Sequence, residues 1–301
     1  MVPPENEGDE LDVSIIIPTH NRPAALERCL AALEEQDFSR DLFEIIVVDD
    51  GSQVPAAQVS ARFESVMRLS TVRQAQAGPA NARNAGAAKA RGQLLVFTDD
   101  DCAPQSNWLS TIVRAASDHP NTMIGGRTLN ALVQNPYSTA SQLLIDYLYD
   151  CFFCAGSSSD EHMFTSNNLA VPAAVFETVG GFPKEFPLPA AEDREFCDRW
   201  QHRGYALHYE PDAPVNHHHT LDGPSFWRQH FNYGREAYHF QSRRRLRGRE
   251  RKIEPLTFYV NLVLYPFKIQ PFGTALTTSL LLCISQIANA AGFFWQKWES
   301  R

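Results

Sequence analysis

Three short apolar runs each end abruptly in a polar or acidic cluster, and this constrains the chain more than any other feature. Val13-Ser14-Ile15-Ile16-Ile17 stops at Pro18 and leads into Thr19-His20-Asn21-Arg22. Phe43 to Val48 stops at Asp49-Asp50-Gly51-Ser52, and the run from Leu94 stops at Asp99-Asp100-Asp101. Continuous β-branched runs without polar alternation are what strands covered on both faces look like. Between them the apolar spacing changes: Ala25, Leu26, Cys29, Leu30 and Leu33 predict a helix over 24–35. Further helices are expected at about 54–64 and 79–90, with a strand at about 66–72. Strand alternating with helix predicts an α/β fold, a doubly wound and mostly parallel sheet flanked by helices. Ligands of such sheets bind beyond the carboxyl ends of the strands, so three strands would deliver their polar clusters to one rim.

Beyond about residue 125 the alternation is lost. Residues 138–150 and 223–243 read as helical, 156–161 as a Gly/Ser/Asp loop, 189–203 as an amphipathic helix and 206–209 as a strand. The expected organisation is an acidic, flexible 1–12, a first half over 13–125, a second half of the same domain over 126–245, and a tail over 246–301. The tail combines two features. Ile269 to Gln296 carries no charged residue, while Arg243, Arg244, Arg245, Arg247, Arg249, Arg251 and Lys252 lie just before it. That apolar length would cross a bilayer, although Thr, Ser, Gln and Asn lower its hydropathy. Basic residues flanking an apolar segment favour a cytoplasmic, anionic-lipid-facing position, so contact with the inner face of the cell membrane is expected. A helical hairpin packed on the domain would satisfy the same pattern.

Net charge narrows the partners. At −8 the chain is no nucleic-acid binder by bulk electrostatics. Glu5, Glu7, Asp9, Glu10 and Asp12 without a base are unlike a secretory leader. Six cysteines, with Cys151 and Cys154 the one CxxC, form no disulfide framework and suit a reducing cytoplasm.

The triple aspartate carries the sharpest chemistry. Carboxylates at i and i+2 on an extended strand end point the same way, and hard divalent cations such as Mn²⁺ or Mg²⁺ bind carboxylate oxygens. An ion held by Asp99 and Asp101 could neutralise a departing diphosphate. A bare acidic turn looks the same in sequence; the position at a strand's carboxyl end, downstream of a second acidic cluster, favours the site. Asp49-Asp50-Gly51-Ser52 is equally a common turn.

The strings VSIIIPTHNR, VVDDGS, GPANARNAGA and FTDDDC, in this order, resemble the family 2 glycosyltransferases of the GT-A fold, over about Val13 to His217. The resemblance implies an inverting transferase that moves a sugar from a nucleotide-diphosphate-sugar to a hydroxyl acceptor. It implies that Pro18, Thr19, Arg22, Asp50, Arg83, Asp99 and Asp100 bind the donor, and that Asp101 and Asp99 hold the metal. Asp193, in Ala191-Glu192-Asp193-Arg194-Glu195-Phe196, would be the general base. An alcohol is a poor nucleophile until a positioned carboxylate accepts its proton. His217, first of three consecutive histidines, would complete the metal shell or else belong to a polar loop. Asn167, Asn168 and Glu192 would border the acceptor, a cell-envelope glycan or lipid-linked saccharide. Processive synthases of the family carry a QxxRW motif; here Arg199-Trp200 lies too close to Asp193 and position 196 is Phe, so single or few sugar additions are expected. A sugar nucleotidyltransferase is the rival, but its Gly-rich opening loop is absent from PTHNRPA. A non-catalytic, membrane-associated glycan-assembly protein would not need Asp99, Asp101 and Asp193 together.

Overall fold

Burial on both faces turns the apolar runs into strands. The computed structural model describes residues 11–154, 162–184, 191–248 and 254–300, so the loop expected over 156–161 and most of the acidic 1–12 lie outside the described residues. Chain order is β1 (Val13–Thr19), α1 (Pro23–Glu34), β2 (Phe43–Asp49), α2 (Ala57–Ser60), β3 (Leu69–Arg73), α3 (Pro79–Ala87), β4 (Leu94–Thr98), β5 (Cys102–Pro104), α4 (Trp108–Asp118) and β6 (Met123–Asn130). There follow α5 (Pro136–Tyr149), β7 (Asn168–Pro172), α6 (Ala173–Val179), α7 (Glu192–His202), β8 (Leu207–His217), α8 (Gly223–Leu246), α9 (Leu256–Leu264), α10 (Pro266–Ile269) and α11 (Phe272–Glu299). The chain divides into two compact units. One comprises Met1–Leu129, Met163–Lys184 and Phe196–His217; the other comprises Asn130–His162, Glu185–Glu195 and His218–Arg301.

The first unit holds one eight-stranded sheet in the order β3-β2-β1-β4-β7-β6-β8-β5. β3, β2, β1 and β4 are mutually parallel, as the continuous apolar runs require. β7 then runs antiparallel to β4 and to β6, and β5 antiparallel to β8, so the sheet is mixed where the strand–helix alternation lapses. Every residue of β1, β2 and β4 is buried. The helix expected over 54–64 contracts to α2, because bonds to the third residue back (Arg62 N–H to Val59, Phe63 N–H to Ser60) break the segment into turns. β8 is longer than the expected strand and passes through Pro211 and Pro214. Its partner β5 pairs only Val215, Asn216 and His217, so neither proline interrupts that ladder.

Helix α3 approaches the sheet through Gly86. A Cβ there would lie 2.5 Å from Ile16 Cγ2 and 3.1 Å from Val48 Cγ2. Asn168 ties the sheet from within: fully buried, it donates to the carbonyls of Arg127 and Ala213 and accepts from Trp108 Nε1 at 2.8 Å.

The second unit is helical. Asn135 caps α5 by accepting from the N–H groups of Tyr137 and Ser138, and Asp222 and Ser225 form a reciprocal cap on α8. α8 and α11 run in the same direction, with Phe226 beside Leu281 and Arg235 Nε donating to Gln296 Oε1 at 2.8 Å. Gly234 and Gly292 let the two backbones touch: a Cβ at either would fall within 2 Å of a carbonyl oxygen of the other helix. His230 is buried under Phe226, ring centroids 4.4 Å apart, and neither of its nitrogens has a hydrogen-bond partner. Burial, with a smaller contribution from His219, lowers its pKa to about 4.

Two outcomes test this packing. Gly86→Ala should cost about 1–3 kcal/mol in denaturant unfolding, because the buried Ile16 and Val48 side chains would have to shift. His230 stays neutral in the folded chain to a lower pH than in the unfolded one, so its contribution is intact above about pH 6.5 and lost as pH falls towards 4. His230→Phe should abolish roughly 2–3 kcal/mol of the stability loss measured between pH 7 and pH 4.5.

Candidate active site

The rim forms where the four parallel strands end. Pairing of β1 with β4 stops at Ile16 and Phe97, two residues before Pro18, which has no N–H to offer a ladder. Thr19 follows and donates its hydroxyl to Asp100 Oδ2 at 2.7 Å. Arg22, which precedes α1, places Nη1 3.2 Å from Asp100 Oδ1 and 3.1 Å from Asp101 Oδ2. Burial pushes the Asp100 carboxyl up to about 6, against the pull of Arg22 and the Thr19 hydroxyl. Thus Pro18, Thr19, Arg22 and Asp100 are brought together, with Asp100 as the buried anchor of Thr19 and Arg22.

At the end of β2 the two aspartates divide their work. Asp49 faces inward and accepts from the N–H groups of Ser52 and Ala56. Burial raises its pKa, but those donors outweigh it and hold the carboxylate below its usual range. Asp50 accepts from Gln74 Nε2 at 2.7 Å and from the N–H groups of Ala77 and Gly78, each at 2.8 Å. It thereby fixes the chain between β3 and α3, where Gly78 has φ +89°. Sequence reasoning missed the lock between the β1 and β2 ends. Asn21, at φ +55°, donates its N–H to Ser52 Oγ and accepts from the N–H of Gln53, while His20 Nδ1 lies 2.8 Å from the Asp50 carbonyl. Asparagine's tolerance of positive φ, next to a strand end, was the available signal.

α3 supplies Arg83. Its side chain is 4% exposed and donates Nη2 to Asp99 Oδ1 at 2.6 Å, with the guanidinium 5.6 Å from the Phe182 ring. Asn84 holds that ring's backbone, donating to the Phe182 carbonyl and accepting from its N–H. On the other side, the β5–β8 pairing brings His217 Nε2 to 3.3 Å from Asp101 Oδ1. Carboxylate oxygens and one imidazole suit a hard divalent ion of the Mn²⁺ or Mg²⁺ type. The neighbouring thiol offers no competing soft ligand: Cys102 is fully buried, and burial pushes its pKa well up. The residues present fit such an ion.

Asn167, Asn168, Glu192 and Asp193 complete the set of expected site residues. The Asn168 amide is wholly occupied by Trp108, Arg127 and Ala213, so direct acceptor contact is corrected to a role inside the sheet. Asn167 is also buried; its Oδ1 accepts from Thr165 and Thr128, and its carbonyl accepts from Thr98. Asn168 begins β7, a strand buried from Asn168 to Val171, and Asn167 immediately precedes it. Glu192 and Asp193 belong to the second unit, in the first turn of α7; Glu192 is buried, and Asp193 is half-buried and accepts from the N–H of Arg194 at 2.7 Å. Arg199 and Trp200 are framework residues: Arg199 donates to the carbonyls of Val179 and Gly181, and the fully buried Trp200 donates to that of Ala206.

Comparison with known proteins follows this geometry. The family model for Glycosyl transferase family 2 matches residues 14–162, about half of the chain. Glycosyltransferase AglE of Haloferax volcanii is 29% identical over 206 residues, 67% of this chain and 65% of that protein. Validoxylamine A glucosyltransferase of Streptomyces hygroscopicus is 29% identical over 65% of this chain and 51% of its own length. The chain therefore spans between about half and two thirds of the length of these curated relatives. Among solved structures, a Pyrobaculum calidifontis mannosyltransferase in complex with GDP-Man and Mn²⁺ superposes with TM-score 0.60 at 17% identity, over 93% of this chain and 87% of that one. Residues 1–349 of S. aureus TarS with UDP-GlcNAc give TM-score 0.58 at 16% identity, over 97% and 92%. The sheet order, the acidic strand tips and these matches converge on one assignment: the chain belongs to the family 2 glycosyltransferases, with a GT-A fold.

Proposed function

We propose that this protein is an inverting, metal-dependent glycosyltransferase that moves a sugar from a nucleotide-diphosphate-sugar to a hydroxyl acceptor. The observation that carries the reading is the rim itself: Arg22, Asp50, Asp99, Asp100, Asp101 and His217, at the ends of β1, β2, β4 and β8, and Arg83 of helix α3 gather along one edge of the sheet in a single unit. Pro18, Thr19, Arg22, Asp50 and Arg83 bind the donor, and the exposed part of Asp99 faces the ribose. Asp101, His217 and Asp99 hold a Mn²⁺ or Mg²⁺ ion, which supplies charge neutralisation to the diphosphate leaving group when bound. The donors present in the matched structures, GDP-Man and UDP-GlcNAc, are the first to test.

Asp193 accepts the proton of the acceptor hydroxyl as that oxygen attacks the anomeric carbon opposite the departing nucleotide, which inverts the centre. Glu192, beside it in sequence, and Asn167 belong to the acceptor side in this reading. The acceptor is a cell-envelope glycan or lipid-linked saccharide, offered at a membrane surface and extended by one or a few sugars. Support for that surface comes from the basic stretch 243–252 and the long apolar helix Phe272–Glu299.

A panel of nucleotide-sugars, scored by thermal shift with and without Mn²⁺, should give a metal-dependent rise in melting temperature for one donor; a response to nucleoside triphosphates alone would point instead to a nucleotidyltransferase. Asp101→Ala should abolish the metal-dependent part of that rise. Asp193→Asn should leave donor binding intact and lower transfer by about 10²–10⁴-fold. Full transfer by Asp193→Asn would remove this residue as the base.

A further inference from the structure

Helix α11 is amphipathic in the reverse sense. Its buried face is largely small and polar, including Thr278, Ser279, Ser285, Ala288, Gly292 and Gln296. Phe272, Leu276, Leu280, Ile287, Phe294 and Trp298 are all more than half exposed. Steps of four and seven residues place them on one stripe about 39 Å long at 1.5 Å per residue. A helix facing water would show the opposite arrangement. Small residues inside and large apolar residues outside are what lipid-facing helices carry. The buried hydroxyls are satisfied as they would be in hydrocarbon, by backbone carbonyls: Thr278 donates to Thr274, Ser279 to Val263 and Ser285 to Leu282. The pattern extends to α9 and α10. Of the eighteen large hydrophobic side chains exposed among the described residues, twelve lie between Leu256 and Trp298.

Charge identifies what covers this face. Seven Arg and Lys residues fall within positions 243–252 of a chain whose net charge is −8. Arg245 and Lys268 are exposed within the same unit. An apolar surface whose segment is flanked in sequence by cations matches an anionic lipid leaflet, whereas a second copy of this acidic chain would add like charge.

The partner helix decides orientation. α8 touches α11 backbone to backbone at Gly234 and Gly292, and Arg235 bonds both Gln296 and Glu299. α8 also carries Arg228, exposed, and Glu236, fully buried. Threading α11 across a bilayer would draw this charged helix into hydrocarbon, where each ionised side chain is strongly disfavoured. We infer that α11 lies in the plane of one anionic leaflet, its stripe from Phe272 to Trp298 immersed and its small-residue face held by α8. This rests on the membrane-surface reading above but is independent of the sugar chemistry.

The test uses the full chain and vesicles of phosphatidylcholine with or without phosphatidylglycerol. Flotation should show binding at least about tenfold tighter to the anionic vesicles and weakened by salt. Leu276→Gln, Leu280→Gln and Ile287→Gln combined should lower that binding about tenfold or more while circular dichroism and donor-induced thermal shift stay unchanged. Cysteines introduced singly as Gly273→Cys and Ser300→Cys, in protein reconstituted into sealed vesicles and corrected for native thiols, should react in equal proportion with an impermeant maleimide. Reaction at one end only, after lysis at the other, would establish a spanning helix and overturn the in-plane arrangement alone. No flotation with either vesicle, or a dimer dissolved by the same triple variant, would overturn the membrane reading as well. The donor thermal shift would stand or fall separately.

Discussion

Three consecutive carboxylates at one strand tip repel one another, and the first unit is built around answering that charge. Asp99 takes Arg83, Asp100 takes Arg22 and the Thr19 hydroxyl, and Asp101 divides its oxygens between Arg22 and His217. Each partner arrives from a different element, so the neutralisation also fixes the relative positions of β1, α3, β4 and β8. Burial raises the Asp100 pKa to about 6 even against the pull of Arg22 and Thr19. Asp99 and Asp101 remain closer to the rim, where a cation and a charged donor can share the load.

The second acidic strand end works differently. Asp49 and Asp50 are met mainly by backbone N–H groups, from Ser52, Ala56, Ala77 and Gly78. Main-chain donors hold a loop more firmly than side chains, which have rotamers to lose. The donor-binding surface we propose is therefore half scaffold and half charge, with the scaffold set by Asp49, Asp50 and the Asn21–Ser52 lock. In the second unit a different solvent logic rules: glycine contacts and internally bonded hydroxyls face the protein, and the bulky apolar side chains face out.

Much of this was legible before any coordinates. The runs 13–17, 43–48 and 94–98 became buried parallel strands, and their polar ends did gather at one rim, because period and strand direction are local properties of the chain. The segment 54–64 misled because apolar spacing alone does not reveal bonds to the third residue back. Asn168 misled for a related reason. The resemblance implies that Asn168 borders the acceptor, yet β7 is inserted antiparallel beside β4, which puts the amide against Trp108.

Residue order alone established the α/β class, the acidic tips and the family to which the chain is assigned, since each depends on short stretches read in sequence. Tertiary structure decided that His217 meets Asp101, because a three-residue ladder between β5 and β8 sets that register. It likewise decided that Arg199 and Trp200 are framework, and that the polar side of α11 faces inward. The outcomes for His217, Arg199 and α11 depend on partners 18 to 116 residues distant along the chain, which no local pattern encodes.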